Sequence, residues 1–137
     1  PVITHPERLT WLNDQHYPMF QRMVHSGAWL QLTAGSVTGR FGKRPKYWAE
    51  RILDDGYCHI LATDSHHIDR RPPLLAEARE SAAKRLGATE AGHLVLTRPK
   101  GILDNSAPAD LPELPQSNAL ARTEKPFWRR LFGKMRH

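Results

Sequence analysis

Two spacings of apolar residues alternate along the first hundred positions. Trp29-Leu-Gln-Leu-Thr33 switches between apolar and polar at every step, the period of a strand. Phe20, Met23 and Val24 share one face of a helix predicted over residues 18–26, with Gly27 suited to its C-terminal cap. The same design recurs over residues 45–55. Trp48, Ala49, Ile52 and Leu53 line one side, Pro45 fits the first turn, and Gly56 follows the end. A buried strand is predicted over residues 57–63, and a helix over 74–86 with Leu75, Ala78, Ala82 and Leu86 on one face. Val2 and Ile3 form a β-type pair at the start, and residues 90–95 and 99–103 read as short helical pieces. Between the first helix-flanked strand and the second long helix, residues 34–42 carry three glycines. They read as a flexible connection or a weak anion cradle, since no phosphate-loop lysine accompanies them.

The order strand, helix, repeated three times, implies an α/β fold with parallel strands and helices packed outside. Three such units make less than half of a closed eight-unit barrel of about 250 residues. The expected division is therefore a barrel portion over residues 1–104, a linker over 105–125 rich in Pro, Ala, Ser and Asp, and a tail over 126–137. The first residue is proline, which suggests a processed chain or part of a longer one.

Charge changes this picture only at the end of the chain. The net charge of +6 is concentrated in residues 120–137, which hold six Lys/Arg and one acid. The rest is nearly balanced, which argues against nucleic acid as a partner. A single cysteine rules out an intrachain disulfide and suits a reducing compartment. No apolar run reaches membrane-spanning length, and no signal peptide is visible.

Candidate chemistry gathers in Cys58-His-Ile-Leu-Ala-Thr-Asp-Ser-His-His67. An apolar run that ends in polar residues reads as a strand delivering them to its C-terminal edge, where α/β proteins place their chemistry. On an extended backbone Asp64 and His66 point to the same side, an arrangement that suits a transition metal. Asp64 could equally cap the helix that follows. His5 and Arg8 stand just after the first β-type pair, with Pro6 pushing His5 towards extended geometry. They read as site residues or as a solvated terminus. A cysteine phosphatase needs an arginine six positions after its nucleophile. Six after Cys58 is Asp64, so that mechanism is excluded. Cys58, Trp29 and Trp48 read as packing residues, His59 as a core histidine beside the site, and His16, His25 and His93 as solvated or locally bonded.

Four stretches taken together resemble a known family: Thr4-His-Pro-Glu-Arg8, Leu32-Thr-Ala-Gly-Ser36 with Gly39-Arg-Phe-Gly42, Thr63-Asp-Ser-His66, and Arg71-Pro-Pro73 before a helix. They resemble the C-terminal part of the bacterial metal-dependent protein-tyrosine phosphatases of the polymerase-and-histidinol-phosphatase (PHP) superfamily, which accompany capsule and exopolysaccharide operons. The resemblance covers about residues 1–104. It implies a partial distorted barrel and a manganese or iron cluster at the strand C-termini. His5, Asp64 and His66 are then metal ligands, and Arg8 and Arg71 hold the phosphoryl group. His67 stands where the family has asparagine. The His-x-His start and the further ligands that the resemblance implies are not among these 137 residues. The implied substrate is a phosphotyrosine protein, such as a membrane-bound bacterial tyrosine kinase, in the cytoplasm. Histidinol phosphate hydrolysis and a non-catalytic half-barrel that works by binding are the alternatives.

In the tail, Phe127, Trp128, Leu131, Phe132 and Met135 fall within an arc of roughly 140° at helical spacing. Arg129, Arg130, Lys134 and Arg136 fill the other side. A basic face against an aromatic one suits an anionic membrane surface, and the family resemblance implies that this is the inner face of the cytoplasmic membrane. A helix docked on the body and a disordered end are the competing readings.

Overall fold

A computed structural model of the chain describes residues 1–115. Three strands, β1 (Val2–Thr4), β2 (Trp29–Thr33) and β3 (Ile60–Ala62), form one sheet in the order β1-β2-β3. Both pairings are parallel, with Ile3 opposite Leu30 and Leu32 opposite Leu61. The expected class, parallel strands with helices outside, is the class observed. β2 is central, and its Leu30, Gln31, Leu32 and Thr33 are all buried. Alternate residues of a strand face opposite ways, so both sides of β2 are covered, as parallel sheets require.

The helices are α1 (Tyr17–His25), α2 (Ala34–Val37), α3 (Lys43–Asp54), α4 (Ala76–Leu86), α5 (Ala88–Gly92) and α6 (Arg98–Leu103). The predicted stripe on α3 is the one buried: Trp48, Ala49, Ile52 and Leu53 are each at most 4% exposed. Each large apolar member contributes about 1.5–3 kcal/mol by leaving water. Both glycines expected to close helices do so. Gly27 and Gly56 have φ of 94° and 73°. In each case the glycine N–H and the next N–H reach back to helix carbonyls: Ala28 to Met23 at 2.9 Å, and Tyr57 to Ile52 at 3.0 Å. These are the paired bonds of a left-handed helix stop.

Three expectations change. The glycine-rich stretch is not simply a connection, because Ala34–Val37 makes a helical turn at the end of β2. The strand over residues 57–63 shortens to Ile60–Ala62. His59 continues the pairing by other means: its N–H donates to Leu30 O at 2.9 Å, and its Nδ1 accepts from Leu30 N–H at 3.1 Å. The two short helical pieces join into one run, with α5 and α6 linked by a π turn, His93–Thr97.

The π turn has a local cause and a packing result. Pro99 lacks an N–H, and its ring would crowd the carbonyl four residues back in a regular helix. The Arg98 N–H instead bonds His93 O, five back. In an α-helix residues eight apart sit about 80° apart around the axis. The extra residue taken up by the π turn closes that angle and brings Arg98 over Glu90. Arg98 is fully buried, and its Nη1 donates to Glu90 Oε1 at 2.7 Å. The same guanidinium donates to the carbonyls of Pro112 at 3.0 Å and Glu113 at 2.9 Å. It thereby holds down residues 112 and 113 of the stretch expected as a linker, and Leu114 is 6% exposed. Residues 116–125 and the amphipathic tail at 126–137 lie outside the described residues. No described helix is long and apolar enough to cross a membrane.

Candidate phosphate and metal site

All three strands are parallel, so their C-terminal ends share one edge, and the predicted site residues emerge there. His5 follows β1 directly. Its N–H still donates to Gln31 O at 2.8 Å as the last rung of the ladder. The chain then folds into a 3₁₀ turn over Pro6–Arg8. His5 itself is not extended, as Pro6 had suggested, but left-handed at φ 40°, ψ 51°. The sharp exit from the ladder overrides the local preference. The turn is anchored from inside by Glu7. Its side chain is fully buried and Oε1 accepts the Thr33 N–H at 2.9 Å. Burial raises the Glu7 pKa above the usual carboxylate value.

On the other side of β2, Asp64 follows β3 at φ 49°. The backbone at Asp64 is therefore a tight turn rather than the extended strand expected, although the two side chains of Asp64 and His66 still come together, with His66 Nδ1 3.6 Å from Asp64 Oδ1. The two are also joined by His66 Nδ1 against Asp64 O at 2.6 Å. Residues 64–71 close into a compact loop. Ser65 Oγ donates to Arg71 O at 2.7 Å, and Arg71 N–H donates to His67 O at 3.1 Å. His67 serves this loop, since its Nδ1 accepts the Asp69 and Arg70 N–H groups at 3.1 and 3.3 Å. Positive φ at non-glycine residues occurs at His5, Asp64 and Asn105 among the described residues, so two of three lie at this edge. Such strain persists where surrounding structure holds it, commonly at functional sites.

The loop returns Arg71 to Asp64. Arg71 Nη2 donates to Asp64 Oδ2 at 2.5 Å, and Arg8 Nη1 donates to the same oxygen at 3.2 Å. Two guanidiniums from distant parts of the chain thus converge on one carboxylate oxygen, each still partly exposed. The buried Nε–H of Arg71 has no acceptor among the described residues. Both guanidiniums also lie over the ring of Phe41, at 4.6 Å for Arg8 and 5.6 Å for Arg71. Guanidinium donors of this kind can bind an oxyanion, and in this structure they hold the Asp64 carboxylate.

A metal is a different matter. His5, Asp64 and His66 offer the right donor types, one hard oxygen and two imidazoles. Yet no three His, Cys, Asp or Glu groups among the described residues are gathered closely enough to hold an ion. The Asp64 carboxylate is engaged by two cations, and His66 is 61% exposed. These residues alone do not fit a metal cluster.

Sequence reasoning missed Glu7 and Phe41. Both lie inside the quoted motifs, and the signal was their position: an acid between His5 and Arg8, and an aromatic between two glycine-rich turns. Cys58 is a core residue, 2% exposed, with its thiol pKa raised by burial. His59 stacks on Trp29 at 4.9 Å, and burial lowers its pKa to about 4, so it is a neutral structural histidine. His16 bonds Trp11 O at 3.1 Å and His93 bonds Thr97 Oγ1 at 3.2 Å, both locally as expected. A cleft of about 480 Å³ elsewhere on the surface, lined by Lys46, Glu50, Glu77 and Lys84, contains none of the site residues.

The geometry can be set beside known proteins. The tyrosine-protein phosphatase CpsB of Streptococcus pneumoniae is 30% identical over 108 residues, covering 75% of this chain and 44% of that protein. The tyrosine-protein phosphatase YwqE of Bacillus subtilis is 33% identical over 88 residues, covering 64% of this chain and 34% of YwqE. A crystal structure from work on YwqE and CpsB, described as unique metal-dependent tyrosine phosphatases, superposes with a TM-score of 0.68 at 30% identity. That match covers 78% of this chain and 42% of the other. The chain thus spans under half the length of the curated relatives it matches. Residues 1–104 match the family described as capsular polysaccharide synthesis, CpsB/CapC, and the chain belongs to that family.

Proposed function

We infer that this chain carries the phosphate-binding share of a metal-dependent phosphotyrosine-protein phosphatase that acts in the regulation of capsule or exopolysaccharide synthesis. The observation that carries the reading is the convergence of Arg8 and Arg71 on Asp64 Oδ2 at the C-terminal edge of the sheet. A phosphoryl group has the charge and the oxygen acceptors to replace that carboxylate, with charge-assisted bonds from both guanidiniums and from Arg71 Nε. Arginine suits the task because it stays charged and bonds oxyanions in a bidentate way. His5, Asp64 and His66 are the chain's contribution to a metal set, with manganese the ion proposed. Since they do not gather an ion among themselves, further donors must join them before the reaction runs. The phosphotyrosine protein is proposed to be a membrane-bound tyrosine kinase.

The test joins this chain to the N-terminal half of the Bacillus subtilis relative and measures phosphate release from a phosphotyrosine peptide. Manganese-dependent release is expected, lost in His66→Ala and Arg71→Ala and unchanged in Cys58→Ser. The 137-residue chain alone should be at least about a hundredfold slower, since metal activation of water is a main source of rate in such hydrolysis. Full activity from the chain alone, or a folded hybrid that is inactive with manganese, would contradict the reading.

A further inference from the structure

Gly35 and Phe41 belong to the motifs Leu32-Thr-Ala-Gly-Ser36 and Gly39-Arg-Phe-Gly42, to which the function so far gives no part. The two are in contact. A Cβ built on Gly35 would fall 2.6 Å from Cε2 and 2.8 Å from Cζ of the Phe41 ring. Gly35 does not have the positive φ that would itself call for glycine, so what it supplies is space. The ring that uses this space lies under both guanidiniums, at 4.6 and 5.6 Å. Arg8 comes from the turn after β1 and Arg71 from the loop after β3, and Phe41 is one side chain that meets both. An aromatic face attracts a guanidinium and favours a parallel approach. It leaves the in-plane N–H groups free for an anion.

We propose that Phe41 is a positioning residue for the phosphate clamp: seated against Gly35, its ring holds the Arg8 and Arg71 guanidiniums side by side with their N–H donors facing one oxyanion. The inference rests on the phosphate-clamp reading above and adds to it the residue that orders the clamp. Asp64 alone does not give this order. It binds the two arginines only until an anion displaces it, whereas the ring contacts persist in both states. A phosphoryl group therefore meets two guanidiniums that are already aligned, and less rotamer freedom is lost on binding.

The experiment uses the full chain and two readouts. The first is the NMR spectrum of the arginine Nε–H groups, where a proton above an aromatic ring is displaced and an ordered side chain gives a distinct signal. The second is titration with inorganic phosphate. In the wild type, Arg8 and Arg71 should give distinct, displaced signals. Phe41→Leu keeps the apolar bulk and removes the aromatic face. It should merge those signals with solvent-exposed arginines and weaken phosphate binding about fivefold. Gly35→Ala should do the same by unseating the ring, and should add little in a Phe41→Leu background. Stepwise fluorination of Phe41 keeps the shape and weakens the ring's negative face, so affinity should fall with each fluorine. A purely structural ring would show no such trend. Unchanged arginine signals and unchanged phosphate affinity in Phe41→Leu would overturn the proposal. Ordered arginines that lose their order in Phe41→Leu, in a wild type that binds no phosphate, would support the positioning and overturn the phosphate-clamp reading.

Discussion

Asp64 is the residue on which two roles meet. It is a donor of metal-binding type, and it is the carboxylate that neutralises Arg8 and Arg71, at 3.2 and 2.5 Å. The two roles make opposite predictions for one substitution. Asp64→Asn removes the competing charge, so the chain should bind inorganic phosphate about tenfold more tightly by titration. The same change in the metal-supplemented hybrid should lower turnover, because a hard anionic oxygen is lost. Tighter binding without loss of turnover would restrict Asp64 to its ion pairs. His59 gives a second residue-scale prediction. Its folded pKa of about 4 lies below the ordinary histidine value of 6.5. A histidine held neutral in the fold must be protonated as the chain unfolds in acid. Its contribution to stability is therefore full above pH 6.5 and is lost as pH falls from 6.5 to about 4. The ceiling is about 3 kcal/mol. Glu7 acts in the other direction, since its raised pKa makes the folded state gain on protonation. The clean measurement is the difference between wild type and His59→Asn in chemical denaturation across this range, and a difference that does not change with pH would contradict the assignment. The backbone at His5 and Asp64 was not legible from sequence. Both take left-handed φ because the surrounding turns demand it, and neither residue type nor spacing announces that demand.

At the scale of elements, what sequence conveyed well was periodic. The α3 stripe of Trp48, Ala49, Ile52 and Leu53, and the glycine stops at Gly27 and Gly56, follow from local rules that tertiary packing did not contradict. What it hid was register. Residues 90–95 and 99–103 read as two separate short helical pieces, whereas a π turn carries the helix through and aligns Arg98 with Glu90. A buried ion pair of this kind is strongly destabilising to break from one side, because the remaining charge is stranded. Arg98→Ala should therefore lower stability by about 3–5 kcal/mol and free residues 112–114, which thermal denaturation and amide exchange would report. Arg98→Met should do less damage by leaving less of a cavity. Equal and small effects would place the weight of this region elsewhere.

At the scale of the molecule, three parallel strands, outer helices and a site edge were legible because strand–helix alternation admits few arrangements. The completeness of the site was not, since donor types can be read from a sequence but distances cannot. As the described residues gather no metal site, a chelator should leave the melting temperature of the isolated chain unchanged, and a fall of several degrees would show that an ion is held. We propose that the basic and aromatic tail over residues 126–137 tethers the chain to an anionic lipid surface. Residues 126–137 should bring the chain to anionic vesicles in a salt-sensitive manner, and their deletion should abolish co-sedimentation. The central claim is that Arg8 and Arg71 are the phosphate-binding pair. Its most direct test is a crystal structure of the full chain grown with inorganic phosphate. The account predicts phosphate oxygens within hydrogen-bond distance of both guanidiniums, beside Phe41, with the Asp64 carboxylate displaced from at least one of them. Phosphate bound elsewhere, with both Asp64 ion pairs intact, would contradict it.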